Sequence, residues 1–406
     1  MTDTTPRLER VAPDDLMDYA RAVARHFHED DSREEAEPWV RAFATGYRAW
    51  AVRDAGRIVG NLGVIESDLS LPGGSRVPVA AVTAVGVEQT WRRRGLLRTM
   101  MAAALDEAVA RGEPVAALFA SESMIYGRFG FGASAPTMAY DIQRLRTDFR
   151  DPVDLRLVRA VDPEQALASW PALHTAMAEQ RGGSVGIVPG LWRIGLLEDR
   201  PAWQGGATAR RLVEIPGRGY ARYRVKGGDE DPLPGGRVEL IDLLALDAEA
   251  ECALWQHVCG VDLTTTVRAN LRPPDDALPA LVTEPMALGE RRGPPLYTRL
   301  LDLPRALGSR SYANSGRLVL SVHDPDGHAA GRFALDAGPE GASCQRTDAG
   351  ADLELGIEEL SSVWLGGTRV GQLAAAGRVT ELRPGAVVAF DRLFGVDRAP
   401  WTTMVF

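Results

Sequence analysis

The 406-residue chain has few cysteines and no long apolar run, and its positive charge is outweighed by negative charge. The three cysteines, Cys252, Cys259 and Cys344, are an odd number, which excludes a disulfide framework. None lies in the first 150 residues, which argues against a thiol acyl-enzyme there. No segment approaches the ~18 consecutive apolar residues of a membrane helix, and the polar start lacks the apolar core of a signal peptide. With 46 basic against 55 acidic side chains the net charge is −9, so nucleic acid is not expected as the main partner. That balance suits a cationic ligand. The expectation is a cytoplasmic protein with no membrane partner. Its 45% apolar and 25% charged residues provide for two or three ordinary globular cores.

The most informative stretch runs from Val82 to Arg98. It reads as a buried strand, a turn holding Arg92, Arg93, Arg94 and Gly95, and an amphipathic helix over Leu96 to Ala110. The first N–H groups of such a helix have no intrahelical partner and point out of its N-terminus beside the arginines, an arrangement that suits a pyrophosphate. Gly86 inside the apolar strand permits close backbone approach. A second signal, Ser121-Glu-Ser-Met-Ile-Tyr126 running on to Gly132, follows another apolar strand, Val115 to Ala120.

The order Arg92-x-x-Gly95 directly after a strand resembles the acetyl-CoA loop of the GNAT superfamily. With the Tyr126 segment it is similar to the Eis-type aminoglycoside N-acetyltransferases. The resemblance implies acetyl-CoA as cosubstrate, held by Val85, Gly86, Val87, Arg93, Arg94, Gly95, Leu96, Leu97 and Arg98, with Ser121 and Glu122. Leu97 departs from the small residue common there in the wider superfamily. The resemblance also implies Tyr126 as general acid and the α-carboxylate of the last aromatic residue, Phe406, as general base. Pantetheine amides would pair with the strand's free edge, as a peptide adds to a sheet. From the residues alone, Tyr126 is a core tyrosine and the apolar tail Pro400 to Phe406 is a docked terminus.

The expected fold is mixed α/β and α+β: tandem GNAT-like domains at 1–150 and 151–292, then a sterol-carrier-protein-like domain at 293–406. In the first, helices are expected at Leu16–Phe27 and Glu34–Phe43, and strands at Tyr47–Arg53, Ile58–Glu66, Val77–Val87, Val115–Ala120 and Thr137–Ile142. The second has a helix near Pro163–Arg181, strands at Tyr220–Val225 and Val238–Ala245 around a Gly227–Gly236 turn, and a helix at Ala248–Val258. Its strand is followed by acidic Leu246 to Glu251 instead of a phosphate loop, so the unit keeps the fold without the cofactor. Proline-rich turns near Pro273 and Gly289–Pro295 bracket the next boundary. Beyond it, a hairpin around Asp324-Pro-Asp-Gly327 and helices near Ile357–Leu365 and Arg369–Ala376 are expected.

The acceptor implied by the resemblance is a small multi-amine compound such as an aminoglycoside, acetylated by direct transfer, and the assembly implied is a homohexamer of two trimers. Lysine peptides or polyamines are the same-class alternative, and a non-catalytic acyl-CoA or lipid-binding protein is the different-class one. Glu34, Glu35, Glu37 and Trp39 are read as an acidic, aromatic rim or as ordinary packing. No metal site is expected: His26, His28 and the adjoining acids are ligand-type residues but lie across a helix end, where adjacent acids are usually solvated, and the spacing of Cys252 and Cys259, with His257 nearby, is not a zinc pattern.

Overall fold

The computed structural model describes residues 6–228 and 235–406; part of the expected Gly227–Gly236 turn lies outside the described residues, as do the first five residues. The first unit opens with β1 (Arg7–Arg10), α1 (Leu16–His26) and α2 (Arg33–Ala42). Ser32 caps α2 by accepting from the Glu35 N–H, while Arg25 occupies the last turn of α1, where the helix dipole favours positive charge. There follow β2 (Tyr47–Asp54), β3 (Arg57–Ser70), β4 (Arg76–Val87), α3 (Leu96–Ala110), β5 (Val115–Phe119) and β6 (Gly132–Gln143). Ala55 and Gly56 join β2 to β3 with φ of 46° and 84°, the double left-handed turn that matches hairpin twist.

The second unit comprises β7 (Arg159–Ala160), α4 (Pro163–Gln180), α5 (Pro189–Leu197), β8 (Arg211–Ile215), β9 (Gly219–Lys226), β10 (Gly236–Ala245), α6 (Ala248–Cys259), β11 (Thr264–Arg272), α7 (Leu278–Leu281) and β12 (Arg291–Leu300). Asp162 and Gln165 close a reciprocal capping box at the start of α4, which fixes that helix locally. All twelve strands form one sheet in the order β1-β2-β3-β4-β5-β12-β6-β11-β10-β9-β8-β7. β12 therefore enters the first unit's part of the sheet, pairing Leu296↔Phe119 to Leu300↔Val115 on one side and β6 on the other. It crosses position 292, where sequence turns suggest a boundary. Pro294 and Pro295 cause the discrepancy: they fall where the pairing with β6 shifts register between Gly293 and Leu296, a place where a strand tolerates residues without an N–H.

The third unit holds α8 (Leu303–Gly308), β13 (Gly316–His323), β14 (Gly331–Gly338), β15 (Gly341–Arg346), β16 (Leu353–Gly356), α9 (Ile357–Val363), α10 (Val370–Ala375), β17 (Val379–Glu381) and α11 (Ala386–Phe394). Its separate sheet runs β15-β14-β13-β16-β17, and the expected hairpin forms from β13 and β14. The core of this unit is continuous with the first: Val79, Val115 and Leu296 belong to the same buried cluster as Phe333, Trp364 and Phe390. α9 packs directly on β6, where a Cβ on Gly132 would meet the Glu358 carbonyl and the Ser362 side chain. All three cysteines are buried free thiols. No described helix is long and apolar enough to cross a membrane, and the described residues contain no His, Cys, Asp and Glu cluster able to hold a metal.

Candidate active site

β4 and β5 pair in parallel only from Val79↔Val115 to Ala81↔Ala117 and then part. Val85, Gly86 and Val87 consequently lie beyond the paired stretch, with β3 on one edge and a wedge-shaped opening on the other. A bulge marks the opening: Thr83 faces Gly63, the next pair is Gly86↔Asn61, and Ala84 takes a φ of 50°. Asn61, fully buried, holds the bulge through its Nδ2, which donates to the Ala84 carbonyl at 2.5 Å. Its Oδ1 must then accept, so the short contact with His26 fixes the imidazole as the Nδ1–H tautomer. Burial lowers the His26 pKa and keeps the ring neutral. Gly86 has a structural reason besides backbone approach: a Cβ there would stand 2.8 Å from His26 Cβ and 3.2 Å from Asn61 Oδ1. Sequence reasoning missed Asn61, although a lone amide inside the apolar run Ile58 to Ile65 was the available signal.

The basic turn forms as expected. Arg93 and Gly95 adopt φ of 63° and 85°, and Gly95 caps α3 without a side chain. A Cβ on Gly95 would meet nothing within 4 Å, so the left-handed backbone, not crowding, favours glycine. The N–H groups of Leu96, Leu97 and Arg98 open onto this turn, while Leu96 and Leu97 pack half-buried on the first unit's core. Arg92, Arg93, Arg94 and Arg98 are all exposed, and Arg94 lies over Trp91 at 4.5 Å.

Ser121 and Glu122 are exposed at the end of β5, and the Ile125 N–H closes their turn onto the Glu122 carbonyl at 3.1 Å. Tyr126 follows with its ring 8% exposed and set edge-on to Phe131 at 6.2 Å. Burial, and then the charge of Glu122, raise its pKa, so the phenol stays protonated at neutral pH. Residues of the third unit and of β12 back this turn: a Cβ on Gly127 would lie 2.9 Å from Glu358 Oε1, and one on Gly130 would lie 2.6 Å from Arg299 Nε. Burial and the neighbouring Glu359 raise the pKa of Glu358. Neither Glu358 nor the Arg299–Asp324 pair beneath Gly130 carried a sequence signal.

The C-terminal tail returns from the third unit between the other two. The Trp401 N–H donates to the Gly182 carbonyl at 2.9 Å, the Thr402 hydroxyl accepts from Val185 at 3.5 Å, and Arg181 donates to the Ala399 carbonyl at 2.7 Å. Phe406 ends edge-on to Phe119, the last residue of β5, with ring centroids 5.6 Å apart. The structure thus gathers Val85–Val87, the 93–98 turn, Ser121, Glu122 and Tyr126 around the parting ends of β4 and β5, and brings Phe406 to that end of β5.

Two further regions lie away from this opening. Two of the three acids read as a rim are paired, Glu35 with Arg200 at 3.5 Å and Glu37 with Arg41 at 3.4 Å. The aromatic part of the rim is present, with Trp39 stacked on Phe43 at 6.1 Å and 6.0 Å from Trp203. A cavity of about 1180 Å³, lined by Glu66, Asp68, Arg76, His174 and Trp192 among others, opens at the start of β4, at the far end of that strand from Val85–Val87.

Comparison with known proteins identifies the domains and the family. Residues 7–134 and 188–300 match two acetyltransferase (GNAT) domain models, and residues 303–403 match the sterol carrier protein domain. The class is therefore a GNAT N-acetyltransferase, with two GNAT domains and a sterol-carrier-like domain. An uncharacterised N-acetyltransferase of Streptomyces coelicolor is 38% identical over 357 residues, 86% of each chain. N-acetyltransferase Eis of Mycobacterium tuberculosis is 33% identical over 384 residues, 92% of each. The crystal structure of Eis1 from Mycobacterium abscessus superposes with a TM-score of 0.84 at 31% identity, covering 99% of this chain and 100% of that one. The chain belongs to the Eis family of GNAT N-acetyltransferases.

Proposed function

We propose that this N-acetyltransferase uses acetyl-CoA and acetylates amines of small multi-amine compounds such as aminoglycosides by direct transfer. The observation that carries the proposal is the wedge between β4 and β5, with an open strand edge at Val85–Val87 leading to the bare N-terminus of α3. The residues fit the cosubstrate. Amide groups of the β4 edge match pantetheine, and the N–H groups of Leu96, Leu97 and Arg98 with the Arg93, Arg94 and Arg98 side chains match a pyrophosphate. Ser121 and Glu122 border the same opening. Acetyl-CoA supplies a thioester whose acyl carbon accepts the amine.

The chain's own residues would manage the protons. Tyr126, kept protonated by burial, donates to the departing sulfur as charge develops on it. The reference pKa of a phenol, ~10, exceeds that of a thiol, ~8.5, so this help is confined to the transition state. The Phe406 α-carboxylate would accept the ammonium proton, directly or through water. The docking of its ring on Phe119 supports that role by fixing the tail at the end of β5. The proposal includes a homohexamer, which analytical ultracentrifugation reads directly.

The test is CoA release with acetyl-CoA and a panel of aminoglycosides, lysine peptides and polyamines. Tyr126→Phe should lower kcat by about 10²-fold. A two-glycine extension beyond Phe406 should abolish turnover while leaving acetyl-CoA binding intact. Parental turnover in either variant removes that residue from the mechanism, and turnover on lysine peptides alone would replace the acceptor class.

A further inference from the structure

The second unit repeats the wedge of the first and fills it with the chain's own tail. β10 and β11 run parallel from Gly236↔Thr264 to Leu240↔Ala269 and then part. A bulge in β10 at Ile241 follows the parting, as the bulge at Ala84 follows that of β4, and α6 joins the two strands as α3 joins β4 to β5. The gap between Leu243 and Leu271 is therefore the topological counterpart of the cosubstrate wedge.

Three features suit this gap to a different occupant. Asp247 caps α6 by accepting from the Ala250 N–H, with Glu249 and Glu251 in the first turn, so carboxylates stand where the first unit offers amides and arginines. The buried Arg272 side chain lies across the gap, its Nη1 donating to the Leu243 carbonyl at 2.5 Å and its Nε to Asp276 at 2.6 Å, with Glu251 3.5 Å away. The strand edge itself is taken: the Leu271 carbonyl accepts from Trp401 Nε1 at 2.6 Å. The Arg272 guanidinium also contacts both indoles, at 5.2 Å from Trp255 of α6 and 5.3 Å from Trp401.

We propose that the cofactor-type cleft of the second unit is the receptor for the C-terminal tail, with Trp401, held by Arg272, as the positioning residue that sets Phe406 at the end of β5. The inference rests on the assignment of the Phe406 carboxylate made above. Five residues lead from Trp401 to Phe406, a span of at most ~18 Å when extended, so the indole is a short tether for the carboxylate. Thr402 and Thr403, both buried, continue the tether out of the cleft. One unit thus does the chemistry, and its duplicate holds one of the reacting groups in place.

The test is Trp401→Ala in the full chain, read by the rate at which a carboxypeptidase releases Phe406 and by steady-state kinetics. The expected result is release faster by at least about 100-fold, the weight of a lost buried indole. The kinetic expectation is kcat, normalised to the sites that still bind acetyl-CoA, lower by about 100-fold with the acetyl-CoA KM unchanged; the normalisation removes the loss of active enzyme that general unfolding would cause. Trp401→Phe keeps an aromatic ring and loses the N–H donor; it should speed release by about fivefold and serves if the alanine variant does not fold. Unchanged release and unchanged kcat overturn the receptor. If the glycine extension leaves turnover intact yet Trp401→Ala frees the tail, the receptor stands and the carboxylate role falls. If the extension abolishes turnover while Trp401→Ala alters neither readout, the carboxylate stands and the receptor falls.

Discussion

Asp324 ties the third unit to the turn that carries Tyr126, and replacing it asks whether charge holds that joint. Arg299 of β12 is fully buried, donating from Nη2 to Asp324 Oδ1 at 2.7 Å and from Nη1 to the Leu300 carbonyl at 2.8 Å. Asp324 also accepts from the N–H groups of Asp326 at 3.2 Å and Ala329 at 2.7 Å, which orders the hairpin turn. Asp324→Ala leaves the guanidinium in the interior without its counter-charge. Breaking such a buried pair costs about 3–5 kcal/mol, whereas replacing both partners by apolar side chains of similar volume is near neutral. Arg299→Met combined with Asp324→Leu is that replacement. Urea unfolding followed by circular dichroism is the assay, and the buried Trp364 indole, which donates to Thr298 of β12 at 2.8 Å, shows that the third unit is packed on this strand. The single variant should unfold at clearly lower urea and lose turnover, and the double variant should recover most of both. A single variant that unfolds with the parent, or a double variant no better than the single, would refute the electrostatic account. Burial works against ionisation of Asp324, but Arg299 and the two backbone donors outweigh it and hold its pKa below the usual 3.8. The folded pKa lies under the unfolded one, so this contribution is present above pH 3.8 and is lost as pH falls through the folded value.

Two further perturbations probe other parts of the frame. His174 is 4% exposed, its pKa pushed down to about 4 by burial and then by Arg76. The unfolded chain gains this proton near pH 6.5 and the folded chain only near 4, so stability should fall by up to roughly 3 kcal/mol between those values, a decline that His174→Gln should flatten in urea titrations. Gly86→Ala drives a methyl group into His26 and Asn61 and should raise the acetyl-CoA KM, with an overpacking cost of about 1–3 kcal/mol. Adding His26→Gly, which removes the facing Cβ, should relieve much of it, and an unaltered KM in Gly86→Ala would show that the bulge does not shape the opening.

Local signals were legible where they were complete within a few residues. The Leu96–Ala110 helix, the strand ending at Val87 and the helix starting at Pro163 lie within a residue or two of expectation, because a glycine cap, an apolar run and a capping box each mark their own boundary. The strand, turn and helix around the proposed cosubstrate wedge were legible for the same reason, since they follow one another. What stayed hidden depends on residues far apart in sequence. Asn61 matters through His26, and Arg299 through Asp324 and Gly130. Trp401 matters through Leu271 and Arg272, contacts no periodicity records. β12 was obscured by its prolines, which sequence rules treat as boundary markers and the sheet accommodates at a register shift. The run of acids before Trp39 shows the converse: it reads as a charged rim or as packing until Arg200 from a distant segment and Arg41 one turn along α2 are seen to pair with it.

β12 also bears on how the molecule is made. It supplies the strand between β5 and β6, so the sheet of the first unit is incomplete until the chain has been synthesised through Leu300. A fragment comprising the first unit alone would expose the facing edges of β5 and β6 as unpaired templates, the condition that invites aggregation. The nascent chain must keep those edges apart for the whole synthesis of the second unit, and such long-range closure slows folding. Trimming this enzyme to a minimal catalytic domain should therefore fail unless the removed strand is supplied again, whereas co-expression of β12 as a separate segment offers a means of switching the catalytic sheet on.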